Sequence, residues 1–235
     1  MEEVKIFKVK NHKIKIQKNP LVFSPSPHGT TGLGENIKIS RGELVLDIGT
    51  GTGILAILSA KLGGKVLAMD ILEEAVESAR QNALLNNVKI ETIKSDLFEN
   101  VPREKFDVII ANVPQEVLPP KLIKKYPPQV LTGIYGFGDG SEILIRTLNK
   151  AKEFMKQTSR LYVVVYSMSG WRKSLSCIVK NYNAKLISFY SGEVKEFVYD
   201  DINWYKNNPK IGIYKVGKKI WADLFVFELT KKQSG

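Results

Sequence analysis

Cysteine, histidine and long apolar runs are all scarce in this sequence. With one cysteine, Cys177, the 235-residue chain can form no internal disulfide and no cysteine-based zinc site. Its two histidines, His12 and His28, are too few for a histidine metal cluster. No apolar run approaches the length of a membrane span, and the start of the chain alternates charged and apolar side chains, unlike a signal peptide. We therefore expect a soluble, cytoplasmic protein without a metal or membrane partner, in which Cys177 is a buried helix residue.

The charge balance is strongly basic. Lys and Arg number 35 against 24 Asp and Glu, which gives a net charge of +11. The lysines are spread along the chain, with small clusters in residues 121–125 and 215–219. An excess of lysine favours an anionic partner such as RNA or a ribosomal surface, but it is equally typical of a solvated, lysine-rich surface. No arginine-rich or aromatic-interleaved segment decides between these two interpretations.

The most informative stretch is residues 44–53, LVLDIGTGTG. Its apolar start has the length and residue types of a buried strand, and it continues into Asp47 and then glycines at every second position. An apolar, helix-forming segment, residues 54–62, follows. This combination predicts a nucleotide-type pocket at the carboxyl edge of a sheet, because glycines let a ligand approach the backbone and helix amides point toward it.

Strand and helix patterns alternate after this turn, which predicts an α/β fold with a parallel sheet. The N-terminal residues 4–16 carry a hairpin pattern, and residues 19–34 read as a loop that ends in a helix near Gly34. The predicted strands are residues 44–46, 65–69, 88–93, 106–111, 161–166, 185–190 and 221–230, and the predicted helices are residues 54–62, 73–86, 141–154 and 171–181. We expect the last two strands to pair antiparallel, joined by loop and hairpin rather than helix.

Polar side chains follow four of the predicted strands, and in an open parallel sheet such strand ends line one crevice. These side chains are Asp47, Asp70, Asp96 and the run Asn112, Val113, Pro114 and Gln115. A phosphate ligand is disfavoured, since the turn lacks the Gly-Lys-Ser/Thr of a phosphate loop and the acids would repel it.

Two cofactors without a simple phosphate loop compete for this crevice. Asp70 could accept ribose hydroxyls from either a nicotinamide dinucleotide or S-adenosylmethionine. In the first case Ile54 occupies the third-glycine position and Asp47 would face a pyrophosphate. S-adenosylmethionine fits better because it carries a sulfonium and no phosphate: Asp47 can organise the turn and the ammonium end, and Asp96 can accept from the adenine amine.

Residues 23–166 resemble the class I S-adenosylmethionine-dependent methyltransferases. The resemblance is carried in order by LDIGTGTG, AMD, SDLFENV and IIANVPQ. It implies a methyltransferase enzyme with a Rossmann-like, seven-stranded, mostly parallel sheet, one antiparallel strand and helices on both faces. The cofactor-binding residues that it implies are Thr31, Asp47, Gly49, Thr50, Gly51, Gly53, Asp70, Ile71, Ser95, Asp96, Leu97 and Asn112.

We divide the chain accordingly into two parts. Residues 1–22 form an N-terminal β-hairpin extension, and residues 23–235 form the methyltransferase domain. Within that domain, residues 195–219 are expected to be a loop and hairpin insertion on the substrate side. Its aromatic residues could stack on a base or simply pack the insertion onto the sheet; they are Phe197, Tyr199, Trp204 and Tyr205. The sequence leaves a homo-oligomer open.

The run Asn112, Val113, Pro114 and Gln115 resembles the Asn-Pro-Pro-Tyr motif of methyltransferases that act on planar nitrogens. Such a nitrogen has a delocalised lone pair, so an acceptor side chain and a backbone carbonyl must hold its hydrogens; Asn112 Oδ1 and the Val113 carbonyl could do so. The chain departs from the motif at Val113 and at Gln115, where an aromatic ring usually stacks. A plain strand-ending turn, and hence a non-catalytic cofactor-binding subunit, stays open as an alternative.

Two subgroups of the family share segments with this chain. The segment PSPHGTTGLGENI resembles the ribosomal-protein L11 and release-factor glutamine methyltransferases, and implies that His28, Thr30 and Thr31 close over the cofactor methionine. The segment SDLFENVPREKFDVIIANVP equally resembles a small-domain family that methylates guanine in ribosomal RNA. We expect N-methylation of a protein side chain of the translation apparatus, with methylation of an RNA base as the alternative.

Overall fold

The computed structural model describes residues 3–232 of the chain. The chain begins with an antiparallel hairpin, as predicted, formed by β1 (Val4–Val9) and β2 (His12–Gln17). The strands of the large sheet are β3 (Leu44–Ile48), β4 (Lys65–Asp70), β5 (Glu91–Lys94), β6 (Phe106–Ala111), β7 (Met155–Tyr166), β8 (Tyr182–Glu193), β9 (Ile213–Val216) and β10 (Lys219–Lys231).

Nine α-helices lie within residues 3–232, and most of them follow a strand of the sheet. They are α1 (Gly32–Asn36), α2 (Ile54–Lys61), α3 (Glu73–Leu85), α4 (Pro120–Ile123), α5 (Pro128–Ile134), α6 (Glu142–Ala151), α7 (Trp171–Asn181), α8 (Glu196–Tyr199) and α9 (Ile202–Lys206). A π-helical turn (Pro27–Thr31) precedes α1, and a 3-10 turn (Lys152–Phe154) follows α6.

The sheet order is β5-β4-β3-β6-β7-β10-β8, and the short β9 pairs with the beginning of β10. The strands from β3 to β7 pair in parallel, whereas β10 runs antiparallel to both β7 and β8. The predicted seven-stranded sheet with one antiparallel strand is therefore confirmed, with β9 as an addition. The carboxyl ends of β3, β4, β5 and β6 meet at one edge, which brings the predicted polar residues together.

Alternation along the central strands builds a core on each face of the sheet. In β3, Leu46 and Ile48 pack on the face covered by α6 and α7, while Val45 packs on the face covered by α1, α2 and α3. Both faces of these strands are apolar because both are covered by helices. The hairpin joins the second core through Val9 and Ile14, so its inner face is buried. No helix in residues 3–232 combines the length and the hydropathy that crossing a membrane requires.

In the N-terminal half, the start of the first helical segment and the start of β5 differ from the sequence predictions. The helix expected near Gly34 starts earlier, because the Ser26 side chain accepts a hydrogen bond from the Thr30 amide at 3.1 Å and begins the π-helical turn inside the predicted loop. The strand expected at residue 88 starts only at β5, because Asn87 has a positive φ of 54° and the Val88 amide caps the end of α3.

Short helices in the second half were not predicted. The connection before β10 was expected to contain loop and hairpin but no helix, and this is wrong for α8 and α9. These helices have four and five residues, too few to show a periodicity, and are fixed by burying Val198 and Tyr205 completely. Helices α4 and α5, between β6 and α6, gave no sequence signal for the same reason. Cys177 lies on α7 as predicted but is half-buried rather than buried.

Gly53 ends the glycine-rich turn in a conformation that only glycine adopts without strain. Its φ is 82°, and a Cβ added there would lie 2.8 Å from Ala79 Cα on α3. We expect Gly53→Ala to lower the free energy of unfolding in urea by about 1–3 kcal/mol more than Gly42→Ala does, because overpacking adds to backbone strain. Gly42 is the matched control, since its φ is 87° and nothing lies within 4 Å of an added Cβ. An equal loss of unfolding free energy in the two variants would show that contact with α3 does not restrict position 53.

Candidate active site

Two cavities adjoin at the carboxyl edge of the sheet. The first, which we call the turn cavity, has a volume of about 350 Å³ and lies against the glycine-rich turn. The second, the acceptor-side cavity, has a volume of about 370 Å³ and extends toward β8 and β10. Both volumes fall in the range of small-molecule sites. The residues that line both cavities are Phe23, Thr30, Asn112, Val113, Pro114 and Gly133.

The turn after β3 forms the floor of the turn cavity. Gly49 and Gly51 have φ values of 67° and 53°, and a Cβ added there would make only ordinary contacts, with Val113 at 3.7 Å and with Val22 at 4.0 Å. The turn is tied to the neighbouring strand, because the Thr50 amide donates to the Met69 carbonyl at 3.0 Å. The bare backbone at this floor can therefore face a ligand directly.

Asp47 organises this turn from behind and does not line the cavity. It is almost completely buried at the end of β3, where it accepts hydrogen bonds from the Thr50 hydroxyl at 2.7 Å and from the Ala56 amide. Its pKa is raised to about 7, mainly by burial and also by the nearby Asp70, against the opposing effect of the Thr50 and Ala56 hydrogen bonds. The turn lies between Asp47 and the cavity, and the contact of Asp47 with an ammonium group stays a prediction.

The raised pKa of Asp47 predicts a specific pH dependence of stability. Folding takes up a proton between the ordinary pKa of 3.8 and the folded value of about 7, so stability should fall as pH rises through this window. We expect Asp47→Asn to remove this slope, because an amide does not titrate; the change in the free energy of unfolding across the window is up to about 4 kcal/mol. The variant should still fold, since the amide can bond Thr50 and Ala56. Urea unfolding at several pH values tests this, with the exposed Asp200→Asn as the control. Parallel curves for Asp47→Asn and the unmodified chain would contradict it.

Asp70 stands at the end of β4 and lines the turn cavity. Its carboxylate accepts from the Gly51 amide at 2.9 Å and from the Leu72 amide at 3.1 Å. Burial raises its pKa, while these backbone amides act in the opposite direction. A carboxylate with free lone pairs at a cavity wall is suited to accept the paired hydroxyls of a ribose. The exposed side chain of Ile71 lies next to it in the cavity wall.

The segment after β5 forms the far wall of the turn cavity. Ser95 is buried, and its hydroxyl donates to the Leu97 carbonyl at 2.8 Å, which holds Leu97 at a positive φ of 48°. Asp96 lies on the rim and pairs with Arg146 of α6 at 3.1 Å. The sequence did not indicate Arg146, because its partner lies on a distant segment of the chain.

Asn112 lies where the two cavities meet, and its side-chain amide is oriented by a short chain of hydrogen bonds. Its Nδ2 donates to Thr30 Oγ1 at 3.1 Å, and the same oxygen accepts from the Ser26 amide at 3.2 Å. Within residues 3–232, no protein donor occupies Asn112 Oδ1. Thr31, which the sequence assigned to the cofactor, instead donates its hydroxyl to the Pro27 carbonyl and does not line the turn cavity.

Gln115 reaches the acceptor-side cavity but its side chain is turned into the sheet. Its Nε2 donates to the Val164 carbonyl at 2.9 Å, and its Oε1 accepts from the Tyr166 amide at 3.2 Å. Gln115 thus bonds two backbone groups of β7, and these bonds fix the backbone that carries Asn112. Val113 and Pro114 line both cavities, with the Val113 side chain packed in the core beneath.

The remaining predicted residues divide between the cavities and the fold. Gly49, Thr50, Gly51, Asp70, Ile71, Ser95, Asp96, Leu97 and Asn112 all line the turn cavity, whereas Thr31, Asp47 and Gly53 do not. His28 lines the acceptor-side cavity, beside the ring of Tyr190. The predicted aromatic residues line neither cavity: Phe197, Trp204 and Tyr205 pack in the cluster around α8 and α9, and the Tyr199 hydroxyl bonds Glu193 of β8 and the Ile220 amide of β10.

Several residues that line the cavities were not predicted from the sequence, because they belong to irregular segments. Residues 22–25 cover one side of the turn cavity, and Phe137 covers another with a positive φ of 56°. Phe137 follows the short helices that gave no pattern. Lys195 lies over the Phe23 ring at 4.8 Å and forms an ion pair with Glu116, which closes the outer end of the acceptor-side cavity. Among residues 3–232, no group of histidine, cysteine and acidic side chains could hold a metal.

A parallel sheet of this order, with an acidic glycine-rich turn and a carboxylate after the next strand, is the architecture of S-adenosylmethionine-dependent methyltransferases. Residues 8–172 match the ribosomal protein L11 methyltransferase (PrmA) family, which is most of the chain. The protein therefore belongs to this family and is a methyltransferase enzyme.

Individual relatives agree with this assignment. A Methanocaldococcus jannaschii protein, provisionally named a protein N5-glutamine methyltransferase, is 35% identical over 164 residues, covering 69% of this chain and 81% of its own length. A ribosomal protein L11 methyltransferase of Thermosipho melanesiensis is 42% identical over 135 residues; the match covers 53% of this chain and only 52% of that protein.

The fold has a solved counterpart in a Thermus thermophilus 16S ribosomal RNA N2 G1207 methyltransferase, crystallised with S-adenosylmethionine and guanosine. The TM-score is 0.60 over 98% of this chain and 50% of that chain. Because the two chains share 16% sequence identity, the likeness concerns the fold alone.

Proposed function

We propose that this enzyme transfers a methyl group from S-adenosylmethionine to a side-chain nitrogen of a protein of the translation apparatus, and that the nitrogen is the primary amide of a glutamine. The observation that carries the proposal is the position of Asn112 at the junction of two cavities, with its oxygen unoccupied. A cofactor in one cavity and an acceptor side chain in the other would meet beside that oxygen. An enzyme with such a substrate would act in the cytoplasm.

The turn cavity fits S-adenosylmethionine by the chemistry of its donors and acceptors. Asp70 would accept the ribose hydroxyls, and the bare backbone at Gly49 and Gly51 would face the amino-acid end. Ile71 and Leu97 would flank the adenine, with Asp96 at its edge. When bound, the cofactor supplies a methyl group on a good leaving group, so no metal is required at the acceptor.

The acceptor nitrogen must be held with its lone pair available. In a primary amide that lone pair is delocalised, and the two N–H groups need acceptors that turn the amide away from planarity. Asn112 Oδ1 and the Val113 carbonyl would accept these hydrogens, while Thr30 keeps the Asn112 amide from flipping. The proton lost from nitrogen leaves to water, since neither of these groups is a strong base.

The residue after Pro114 favours an extended side chain over a stacked base as the acceptor. The position after Pro114 offers no aromatic ring, because Gln115 is committed to the backbone of β7. The relative from Methanocaldococcus jannaschii is named for glutamine methylation and the family for ribosomal protein L11, which supports a protein acceptor. Both names concern other proteins, and the match spans about half of the Thermosipho enzyme.

The test uses the purified chain, S-adenosylmethionine labelled with tritium in its methyl group, and an extract of the source organism. Label that survives nuclease and is lost on protease treatment is expected. Acid hydrolysis of the labelled protein should then release volatile methylamine, because a methylated glutamine amide is cleaved there. Label in RNA would overturn the protein acceptor, and label retained in methyl-lysine or a methylated terminus would overturn the amide.

A further inference from the structure

The N-terminal hairpin carries more positive than negative charge. The first 22 residues contain six lysines and two glutamates, against a net charge of +11 for all 235 residues. Of the described lysines here, Lys5 and Lys18 both pair with Glu3. The other four carry no ion pair within residues 3–232; these are Lys8, Lys10, Lys13 and Lys15.

The register of the hairpin brings three of these lysines onto one face. Lys8 lies directly opposite Lys13, and Lys15 lies opposite Ile6. Because side chains alternate along a strand, these four residues share the outer face, while Ile14 and its inner-face neighbours enter the core. We call this surface of Ile6, Lys8, Lys13 and Lys15 the hairpin face.

The hairpin face is held rigidly against the domain. The amide of Lys15 donates to Asn86 Oδ1 at 2.9 Å, and Asn86 Nδ2 donates back to the Lys15 carbonyl at 2.6 Å. The Gln17 amide donates to Asn82 Oδ1 at 2.8 Å. Both asparagines lie on or at the end of α3, so the lysines are presented on a fixed platform and not on a free tail.

Like charges directly opposite each other destabilise a strand pair. Lys8 and Lys13 form such a pair, and within residues 3–232 no acidic side chain of the hairpin lies on the outer face beside them. An anion bound across both strands would remove this repulsion. The Lys8 and Lys13 pair is therefore more stable with a bound anion than in the isolated chain.

We propose that the hairpin face binds the phosphate backbone of RNA. Lysine side chains act as point charges for phosphates, and a row of them on a strand pair meets a repeating anion without reading its bases. A membrane is disfavoured, because this is a strand pair with Ile6 as its main apolar contribution and not an amphipathic helix. The proposal goes beyond methyl transfer and does not depend on it.

The position of the hairpin gives this surface a consequence for the active site. The chain runs from β2 through residues 18–21 directly into Val22 and Phe23, which line the turn cavity. The end of β2 thus leads toward the turn cavity, while Lys15 is bonded to Asn86 at the end of α3 that lies away from that cavity. A protein acceptor bound to RNA would be brought near the enzyme by its RNA.

The test measures binding of fluorescein-labelled single-stranded RNA of about 20 nucleotides, longer than a typical single-stranded site, to the full chain by fluorescence anisotropy. The variant carries Lys8→Gln, Lys13→Gln and Lys15→Gln. We expect its affinity near 0.1 M salt to fall by about 10²-fold and the slope of log affinity against log salt to fall by about 2, as for three lost phosphate contacts. The control carries Lys210→Gln, Lys215→Gln and Lys218→Gln, three exposed lysines of the β9 region with the same change of charge.

Each outcome decides the proposal. Loss of affinity in the hairpin variant and not in the control supports it, provided that both variants melt near the temperature of the unmodified chain. Equal affinity of the hairpin variant, equal loss in the control, or competition by poly-glutamate as strong as by RNA would each overturn it. Affinity for S-adenosylmethionine, measured in parallel by calorimetry, should be unchanged in the hairpin variant, so failure here is distinct from failure of the proposed function.

Discussion

Asn112→Ala is expected to reduce the rate of methyl transfer by at least about 10²-fold, the loss typical when a pre-positioned hydrogen-bonding group is removed from an active site. Affinity for S-adenosylmethionine should change little, because Asp70 and the backbone of the turn remain. The physical reason is the loss of the acceptor that holds the substrate N–H. Single-turnover rates with the labelled protein acceptor measure the first quantity, and calorimetry measures the second.

Two further variants make this result specific. Thr30→Val leaves Asn112 in place and removes the partner of its Nδ2, so the amide can rotate and a smaller loss of rate is expected. Asn207→Ala alters an exposed asparagine outside both cavities and should be neutral. Full activity of Asn112→Ala would remove Asn112 from the mechanism. A joint loss of rate and cofactor affinity would show that Asn112 only shapes the cavities.

Asp70→Ala is expected to weaken S-adenosylmethionine binding by at least about 10²-fold. Two hydrogen bonds from a ribose to a charged acceptor contribute about 1.5–3 kcal/mol each. The substitution also leaves the Gly51 and Leu72 amides without their acceptor, so part of the loss comes from the turn itself. Titration calorimetry gives the affinity directly.

The two contributions are separated by variants of different size. Asp70→Asn preserves the shape of the side chain and one acceptor oxygen, and its affinity should lie between those of Asp70→Ala and the unmodified chain. Asp96→Ala removes a rim carboxylate that is already paired with Arg146, so its effect should be smaller. Unchanged affinity in a folded Asp70→Ala would refute the assignment of the turn cavity to the cofactor.

The sequence was sufficient for the parts of this fold that have a strong local pattern. The strand β6 and the helix α7 occupy the predicted residues, because β6 is a nearly continuous apolar run and α7 has the period of an amphipathic helix. The site residues were predicted from their positions at the ends of strands and not from a periodic pattern. Asp70, Asp96 and Asn112 could be placed together because parallel strands end at one edge of a sheet.

What could not be predicted depends on contacts between distant segments. Asp47 and Thr31 were both assigned to the cofactor from the sequence. Only the fold shows that Asp47 lies behind the turn and that the Thr31 hydroxyl bonds the Pro27 carbonyl within the π-helical turn. Gln115 is the clearest case, since its partners are backbone groups of β7, about fifty residues later. Arg146 and Phe137 reach the turn cavity from segments with no motif.

The ties between the glycine-rich turn and β4 also set an order for assembly of the site. Thr50 and Gly51 donate to Met69 and Asp70, and Gly53 rests against Ala79 of α3. A nascent chain that ends before these residues lacks the groups that close the turn, whatever the local preference of its glycines. During synthesis, when the N-terminal part emerges first, the glycine-rich turn can be held in place only after α3 has left the ribosome, and the acceptor side completes only when β8 and β10 have paired.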